Sequence, residues 1–287
     1  MTRGRARGLF VGLATLDVIQ LVDRVPGPDE KLTAREQTVA AGGPAANAAA
    51  TFAHLGGEAR LLTAIGAHPL GRAVTADLEA LGVTVCDLAA GSLRPPAVSS
   101  VLVTAASGER AVASTNAAGR RVAPPDGLDA WVAECDVVEV DGHHMELALA
   151  TVRAARAAGR TTVLDGGSWK DGTEELLASI DVAVCSEGFR PPGAVDTLDW
   201  LREQGVVWSA VSRGAEPVTW AGPDGGGTVE VPGVRVADTL GAGDVLHGAL
   251  VRYLAEGRDF ADALEAAAAI ASRACASFGT RSWMRRS

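Results

Sequence analysis

Short apolar runs alternate with longer helix-patterned stretches along most of the chain, and this alternation most restricts how it can fold. Leu9–Val11, Leu61–Ile65, Asp136–Val140, Thr162–Asp165, Val182–Cys185 and Val207–Ser212 are too short for helices and are bounded by polar residues. Between them lie Ala45–Leu55, Gly71–Leu81, Met145–Ala158, Thr173–Ser179 and Asp196–Gln204, and the alanine-rich stretch Asp262–Ser277 comes last. Gly56, Gly82, Gly159 and Gly205 follow four of these stretches, where a left-handed residue closes a helix. Buried strands joined through helices make crossover units. The pattern therefore predicts an α/β fold with a mostly parallel central sheet covered on both faces.

Two stretches break the rhythm. Val18–Val39 and Pro96–Thr115 carry valine, threonine and partial alternation without a helical period. Val98–Thr104 and Arg110–Ser114 flank the turn-like Ala106-Ser107-Gly108-Glu109 and read as a hairpin. The two stretches are expected to pair into a small sheet over the main domain.

Composition removes several classes of function. At 287 residues the chain is long enough for one large or two modest domains and needs no covalent staples. It carries 26 basic against 35 acidic residues, a net charge of −9, which argues against nucleic acid as a partner. Cys86, Cys135, Cys185 and Cys275 are far apart, and the five histidines form no metal-site spacing. The basic start is followed by an apolar run that stops at Asp17, too short for a signal peptide, and no stretch approaches the ~20 apolar residues of a membrane helix. A soluble, cytoplasmic protein without membrane association is expected.

The sharpest chemical signal is Asp238-Thr239-Leu240-Gly241-Ala242-Gly243-Asp244, which opens an apolar helix running to Leu254. Amides at a helix start lack intrahelical partners and sit at the positive end of the helix dipole, so they suit an anion. Glycine at 241 and 243 lets the main chain approach a phosphate closely. Asp244 stands beside that point, where a carboxylate can accept the proton of an attacking hydroxyl. The spacing alone is also satisfied by a glycine turn with Asp244 as a helix cap. A second constellation, Gly42-Gly43-Pro44-Ala45-Ala46-Asn47, opens another helix, with Asp17 upstream just after the first strand. An acid and an amide together suit a polyol, whose hydroxyls both donate and accept; a plain turn with proline near the helix start satisfies the glycines as well.

Together these segments resemble the ribokinase-like, or PfkB, family of carbohydrate kinases, whose two signature regions correspond to Gly42-Gly43-x-x-x-Asn47 and Asp238-Thr239-x-Gly241-Ala242-Gly243-Asp244. The resemblance extends over essentially the whole chain. Val11–Ile19 is similar to the start of ketohexokinases, and Gly42–Ala46, Val163–Gly166 and Gly243–Leu250 are similar to bacterial sulfofructose kinases. It implies a ribokinase-like three-layer α/β/α domain over residues 1–12, 41–92 and 117–287, with a small β lid from the insertions 13–40 and 93–116. The implied activity is transfer of the γ-phosphate of ATP to a hydroxyl of a small sugar, a ketose, sulfoketose or ribose-like compound. Asp244 would be the general base, and the amides of Gly241, Ala242 and Gly243 would form the anion hole. Asp17, Gly42, Gly43 and Asn47 would hold sugar hydroxyls, and Ser212-Arg213-Gly214 falls in the ATP region. Mg²⁺ would bridge the phosphates, and K⁺ would sit near Asp238, the carbonyl of Leu240 and Gly279. Pairing of lids implies a homodimer.

Several positions depart from the family pattern. Where many members carry Asn-x-x-Glu near Mg²⁺, this chain reads Ser186-Glu187-Gly188-Phe189, leaving Glu187 as the candidate. Pro217 stands at a usual glycine of the ATP turn. Lys31 occupies the place of a sulfonate-binding lysine on a lid strand, and His143 that of an arginine. A nucleoside or phosphosugar kinase is the alternative within the fold, and a non-catalytic sugar or nucleotide sensor the alternative outside catalysis. A dinucleotide-dependent oxidoreductase would need G-x-G-x-x-G after the first strand, where Gly8 and Gly12 stand alone.

Overall fold

A computed structural model describes residues 4–284; the first three residues of the basic start and the last three of the chain lie outside the described residues. In chain order the elements begin with β1 (Arg7–Val11), β2 (Thr15–Val22), β3 (Glu36–Gly42), α1 (Pro44–His54), β4 (Glu58–Thr63), α2 (Pro69–Ala80) and β5 (Val83–Asp87). There follow β6 (Ala97–Thr104), β7 (Arg110–Ser114), α3 (Leu128–Ala133), β8 (Val137–Val140), α4 (Met145–Ala157), β9 (Thr161–Gly166) and α5 (Thr173–Leu177). The last part holds β10 (Val182–Ser186), α6 (Thr197–Glu203), β11 (Trp208–Arg213), β12 (Glu216–Gly222), β13 (Gly225–Val229), α7 (Ala242–Ala255) and α8 (Phe260–Ala274).

Nine strands form the main sheet in the order β13-β12-β11-β10-β9-β8-β1-β4-β5. The seven from β11 to β5 are parallel, and β12 and β13 continue the edge as an antiparallel hairpin. Alternate side chains of one strand enter different cores. Phe10 packs into a core with α1, α2, α7 and α8, whereas Leu9 and Val11 pack into another with α3 to α6. All three are fully buried, each contributing roughly 1.5–3 kcal/mol of apolar transfer, which is why β1 reads as an unbroken apolar run.

The two irregular stretches do pair. They form a separate four-stranded sheet in the order β3-β2-β6-β7, with β2 and β6 parallel and the outer pairs antiparallel. Its own core is slim: Ile19, Val101 and Val103, backed by Leu21, Leu240 and Phe278.

From β1 the main sheet grows through β4 and β5 on one side and through β8 and its successors on the other. Such a reversal leaves a crevice at the carboxyl ends of the diverging strands. Asp141, fully buried just past β8, ties the crevice together: its oxygens accept amides from Leu13 (2.8 Å), Ala45 (3.2 Å) and His143 (2.8 Å). Burial works against its charge, but His143 and these amides, with Lys170, hold its pKa below the usual carboxylate range.

Candidate active site

A cavity of about 210 Å³ lies between the two sheets. The small sheet contributes Thr15, Asp17, Ser99, Arg110 and Ser114; the main domain contributes Gly43, Asn47, Leu240, Gly241 and Asp244.

Asp244 lies in the first turn of α7. Asn47, on the first turn and a half of α1, donates from Nδ2 to Asp244 Oδ2 at 2.7 Å. The Asn47 amide is itself oriented, because Arg281 Nη1 donates to its Oδ1 at 2.9 Å. Arg281 also donates to the Ala41 carbonyl at 2.7 Å and to Asp77 Oδ2 at 3.4 Å, so three separate segments meet on one guanidinium. Burial and the nearby charge of Asp165 push the Asp244 pKa up to about 7, with Asp17 adding to the rise; the Asn47 bond and His247 oppose it. A carboxylate of that strength is a competent base near neutral pH.

The loop before α7 has the geometry its glycines permit. Gly241 is the N-cap in the left-handed region at φ 72°. The Ala242 amide is spent on the Thr239 carbonyl at 3.3 Å, so of the three amides named for the anion hole this one already has an internal partner. Asp238 is buried and accepts amides from Leu240 (2.8 Å) and Gly279 (2.9 Å), which brings together the three positions associated with K⁺. Burial raises the Asp238 pKa against these two bonds, and no ion pair to it exists among the described residues.

Asp17 projects from β2 into the cavity and accepts from Thr15 Oγ1 at 2.6 Å. Its pKa is raised by burial, against hydrogen bonds from Thr15 and Ser99 and the charge of Arg281. Gly42 is opposite: a Cβ there would fall 1.9 Å from Asp17 Oδ2. Gly43, at φ 95°, presses on the Leu13 carbonyl, where a Cβ would meet the oxygen at 2.3 Å. The two glycines are therefore needed for different reasons, one for the acid and one for the turn into α1.

Glu187 and Ser212-Arg213-Gly214 lie at the carboxyl ends of the adjacent strands β10 and β11, linked by the Glu187 amide donating to the Ser212 carbonyl at 3.0 Å. Gly214 turns at φ 63°, and Pro217 is accommodated in β12 beside a register irregularity between Val211 and Arg213.

Two assignments change. Lys31 is exposed in the loop between β2 and β3, not on a strand, and does not line the cavity. That loop holds Gly27, Pro26 and Pro28, which interrupt strand pairing. His143 does not line the cavity either; its amide and its ring, 3.2 Å away at Nδ1, both address Asp141.

Other residues come into the site without a motif to announce them. Arg110 on β7 lines the cavity and donates to Thr239 Oγ1 at 3.0 Å, putting a cation beside the glycine loop. Ser99, Ser114 and Asn116 add hydroxyl and amide groups to the wall. Partial alternation and valine content in Val98–Thr104 signal a strand, not what its inward face meets.

The model of the pfkB family of carbohydrate kinases matches residues 6–285. An ATP-dependent ribose-1-phosphate kinase of Halopiger xanaduensis is 29% identical, covering 96% of this chain and 94% of its own length. A ketohexokinase of Mus musculus is 25% identical, covering 93% and 95%. The ribokinase of Arabidopsis thaliana, solved with ribose and ATP, superposes with a TM-score of 0.77 at 21% identity, over 99% of this chain and all of that one. Matched along nearly its whole length and folded in the ribokinase-like α/β layers, the chain belongs to the pfkB family of carbohydrate kinases, phosphotransferases that act on sugar hydroxyls.

Proposed function

We propose that the protein transfers the γ-phosphate of ATP to a hydroxyl of a small sugar, a ketose, sulfoketose or ribose-like compound, with Asp244 as the general base. The observation that carries this is Asp244 itself: a carboxylate at a helix N-terminus, opening on a polar cavity and ionising near neutrality. Asp17 and Asn47 take sugar hydroxyls, with Gly42 and Gly43 leaving room for them. The chosen hydroxyl approaches Asp244, which removes its proton as the oxygen attacks phosphorus in line. The amides of Gly241 and Gly243 and the dipole of α7 receive the charge on the transferred group. The small sheet, acting as a lid, excludes water, which competes as acceptor.

ATP extends along the carboxyl ends of β10 and β11, over Ser212, Arg213 and Gly214. Among the described residues no group of three acidic, histidine or cysteine side chains converges, so the donor set suits a Mg²⁺ carried on phosphates and water with one carboxylate, Glu187, in support. When bound, Mg²⁺ neutralises phosphate charge. Asp238 fits a monovalent cation: it is buried without an ion pair among the described residues, and each oxygen has spent one lone pair on an amide. K⁺ held by Asp238 with the carbonyls of Leu240 and Gly279 would fix the glycine loop. A homodimer through the small sheet is supported by Val39, half exposed on its outward side, and no helix of the described residues is long and apolar enough to cross a membrane, consistent with work in the cytoplasm.

Arg110 favours a second reading within the same chemistry, an acceptor that already bears a phosphate. A coupled ADP-release assay over ribose, ribose 1-phosphate, fructose, fructose phosphates, sulfofructose and adenosine separates the two. Turnover of one class, abolished in Asp244→Asn with sugar binding retained, supports the proposal. Turnover within tenfold of wild type in that variant, or binding without turnover across the panel, overturns it.

A further inference from the structure

One turn along α7 from Asp244, His247 is buried, and each ring nitrogen faces a backbone carbonyl. Nδ1 lies 2.8 Å from the Gly243 oxygen and Nε2 lies 2.9 Å from the Val184 oxygen. A carbonyl oxygen accepts and has no proton to give, whereas a neutral imidazole has a single N–H. Either neutral tautomer would therefore aim a nitrogen lone pair at an oxygen lone pair in a dry interior. Both contacts are satisfied when the ring carries two protons. The counter-charge is in place: Asp165 Oδ2, also buried, is 3.5 Å from Nδ1.

We infer that His247 is a buried imidazolium and the positioning residue of Asp244: it fixes the Gly243 carbonyl in the first turn of α7 and supplies a positive charge between Asp165 and Asp244. The inference deepens the reading of Asp244 as base and rests on it for its catalytic consequence. Burial alone would lower the His247 pKa, but Asp165 and the two carbonyls, with Asp244, raise it above the ordinary histidine value.

The side chains facing this pair come from four elements besides α7 and from the carboxyl-terminal segment. Asp165 on β9 and Asp17 on β2 raise the Asp244 pKa; Asn47 on α1 lowers it by donating its amide; Arg281 adds a cation from the carboxyl-terminal segment. Glu139 on β8 is fully buried with neither oxygen partnered among the described residues. Burial, then the charges of Asp165, Asp141 and Asp244, push its pKa well above the usual range, which favours its neutral form.

The test uses the full chain labelled with ¹⁵N and ¹³C, with the His247 and Asp244 signals assigned by through-bond correlation. Both His247 nitrogens are expected to stay protonated through the pH range around ~6.5 in which an unperturbed imidazole loses its proton, and up to at least about pH 7.5. A neutral tautomer at about pH 7.5 overturns the inference, and this measurement needs no variant. In His247→Asn the titration midpoint of the Asp244 carboxyl carbon is expected to rise by about one pH unit, with the acid limb of kcat/KM following it. A variant that loses stability or turnover with that midpoint unmoved shows a structural role alone and overturns the coupling. The base assignment fails separately, on the turnover of Asp244→Asn, whatever the two nitrogens report.

Discussion

Asn47 donates its side-chain amide to Asp244 at 2.7 Å across 197 residues of sequence, joining the first turns of two helices from opposite ends of the chain. The two signature segments of this family are thus one constellation in space. The amide faces the acid because Arg281 occupies the other side of Asn47.

The rate should depend on pH through Asp244. Burial, with Asp165 and Asp17, raises its pKa to about 7, and a base works only when ionised. Below that value kcat/KM is expected to fall about tenfold per pH unit, levelling off above it. A pH series at saturating ATP measures this, and a plateau persisting below about pH 5 contradicts it.

Asp244→Asn should separate activity from stability. A carboxyl whose pKa rises on folding contributes stability below the unfolded value of 3.8, and that contribution is lost as pH rises towards 7. Removing the charge is therefore expected to stabilise the protein at about pH 8 by roughly 1–3 kcal/mol, and by less at about pH 5. Turnover should fall by about 10²–10⁴. Thermal melts at the two pH values and initial rates check both halves.

Arg281→Met removes the donor that orients Asn47 and leaves the Ala41 carbonyl without its partner. A loss of roughly 10–100-fold in kcat/KM is expected, from a misplaced Asn47, with a stability cost of about 1–3 kcal/mol. Arg281→Lys should recover little, because one ammonium cannot span Asn47, Ala41 and Asp77 together. Steady-state kinetics of both variants test the assignment.

Gly42→Ala sets a methyl group against the Asp17 carboxylate, 1.9 Å from Oδ2 before relaxation. The acid must turn away from the cavity. The KM for sugar is expected to rise by about tenfold or more while that for ATP changes little, if Asp17 holds the acceptor as proposed. Equal changes in both constants would point to a general distortion.

The sequence carried the parts of the site whose logic is local. Glycines at 241 and 243 ahead of an apolar helix state an anion site within seven residues, and the valine-rich runs state a parallel sheet. Arg281 was illegible because its partners Ala41, Asn47 and Asp77 lie 204 to 240 residues away and nothing around it repeats. His247 reads as one more residue on an apolar helix until the carbonyls of Gly243 and Val184 are in view. The β12–β13 hairpin escaped the apolar pattern because Gly225, Gly226 and Gly227 stand where strands usually carry side chains. Gly226 is there to admit the Trp220 carbonyl, which a Cβ would meet at 2.5 Å. Lys31 illustrates the opposite error, in which the right residue type fell on a loop that faces solvent.

The small sheet has a core of its own of only three buried side chains, Ile19, Val101 and Val103, with Leu16 and Ala41 rooted in the main core, yet it supplies Asp17 and Arg110 to the cavity. A roof with so little mortar of its own borrows cohesion from whatever bridges it to the floor. An occupant gripping Asp17 above and Asp244 below therefore acts as a keystone, and amide exchange in β2 and β6 becomes a gauge of occupancy while β1 and β8 stay indifferent.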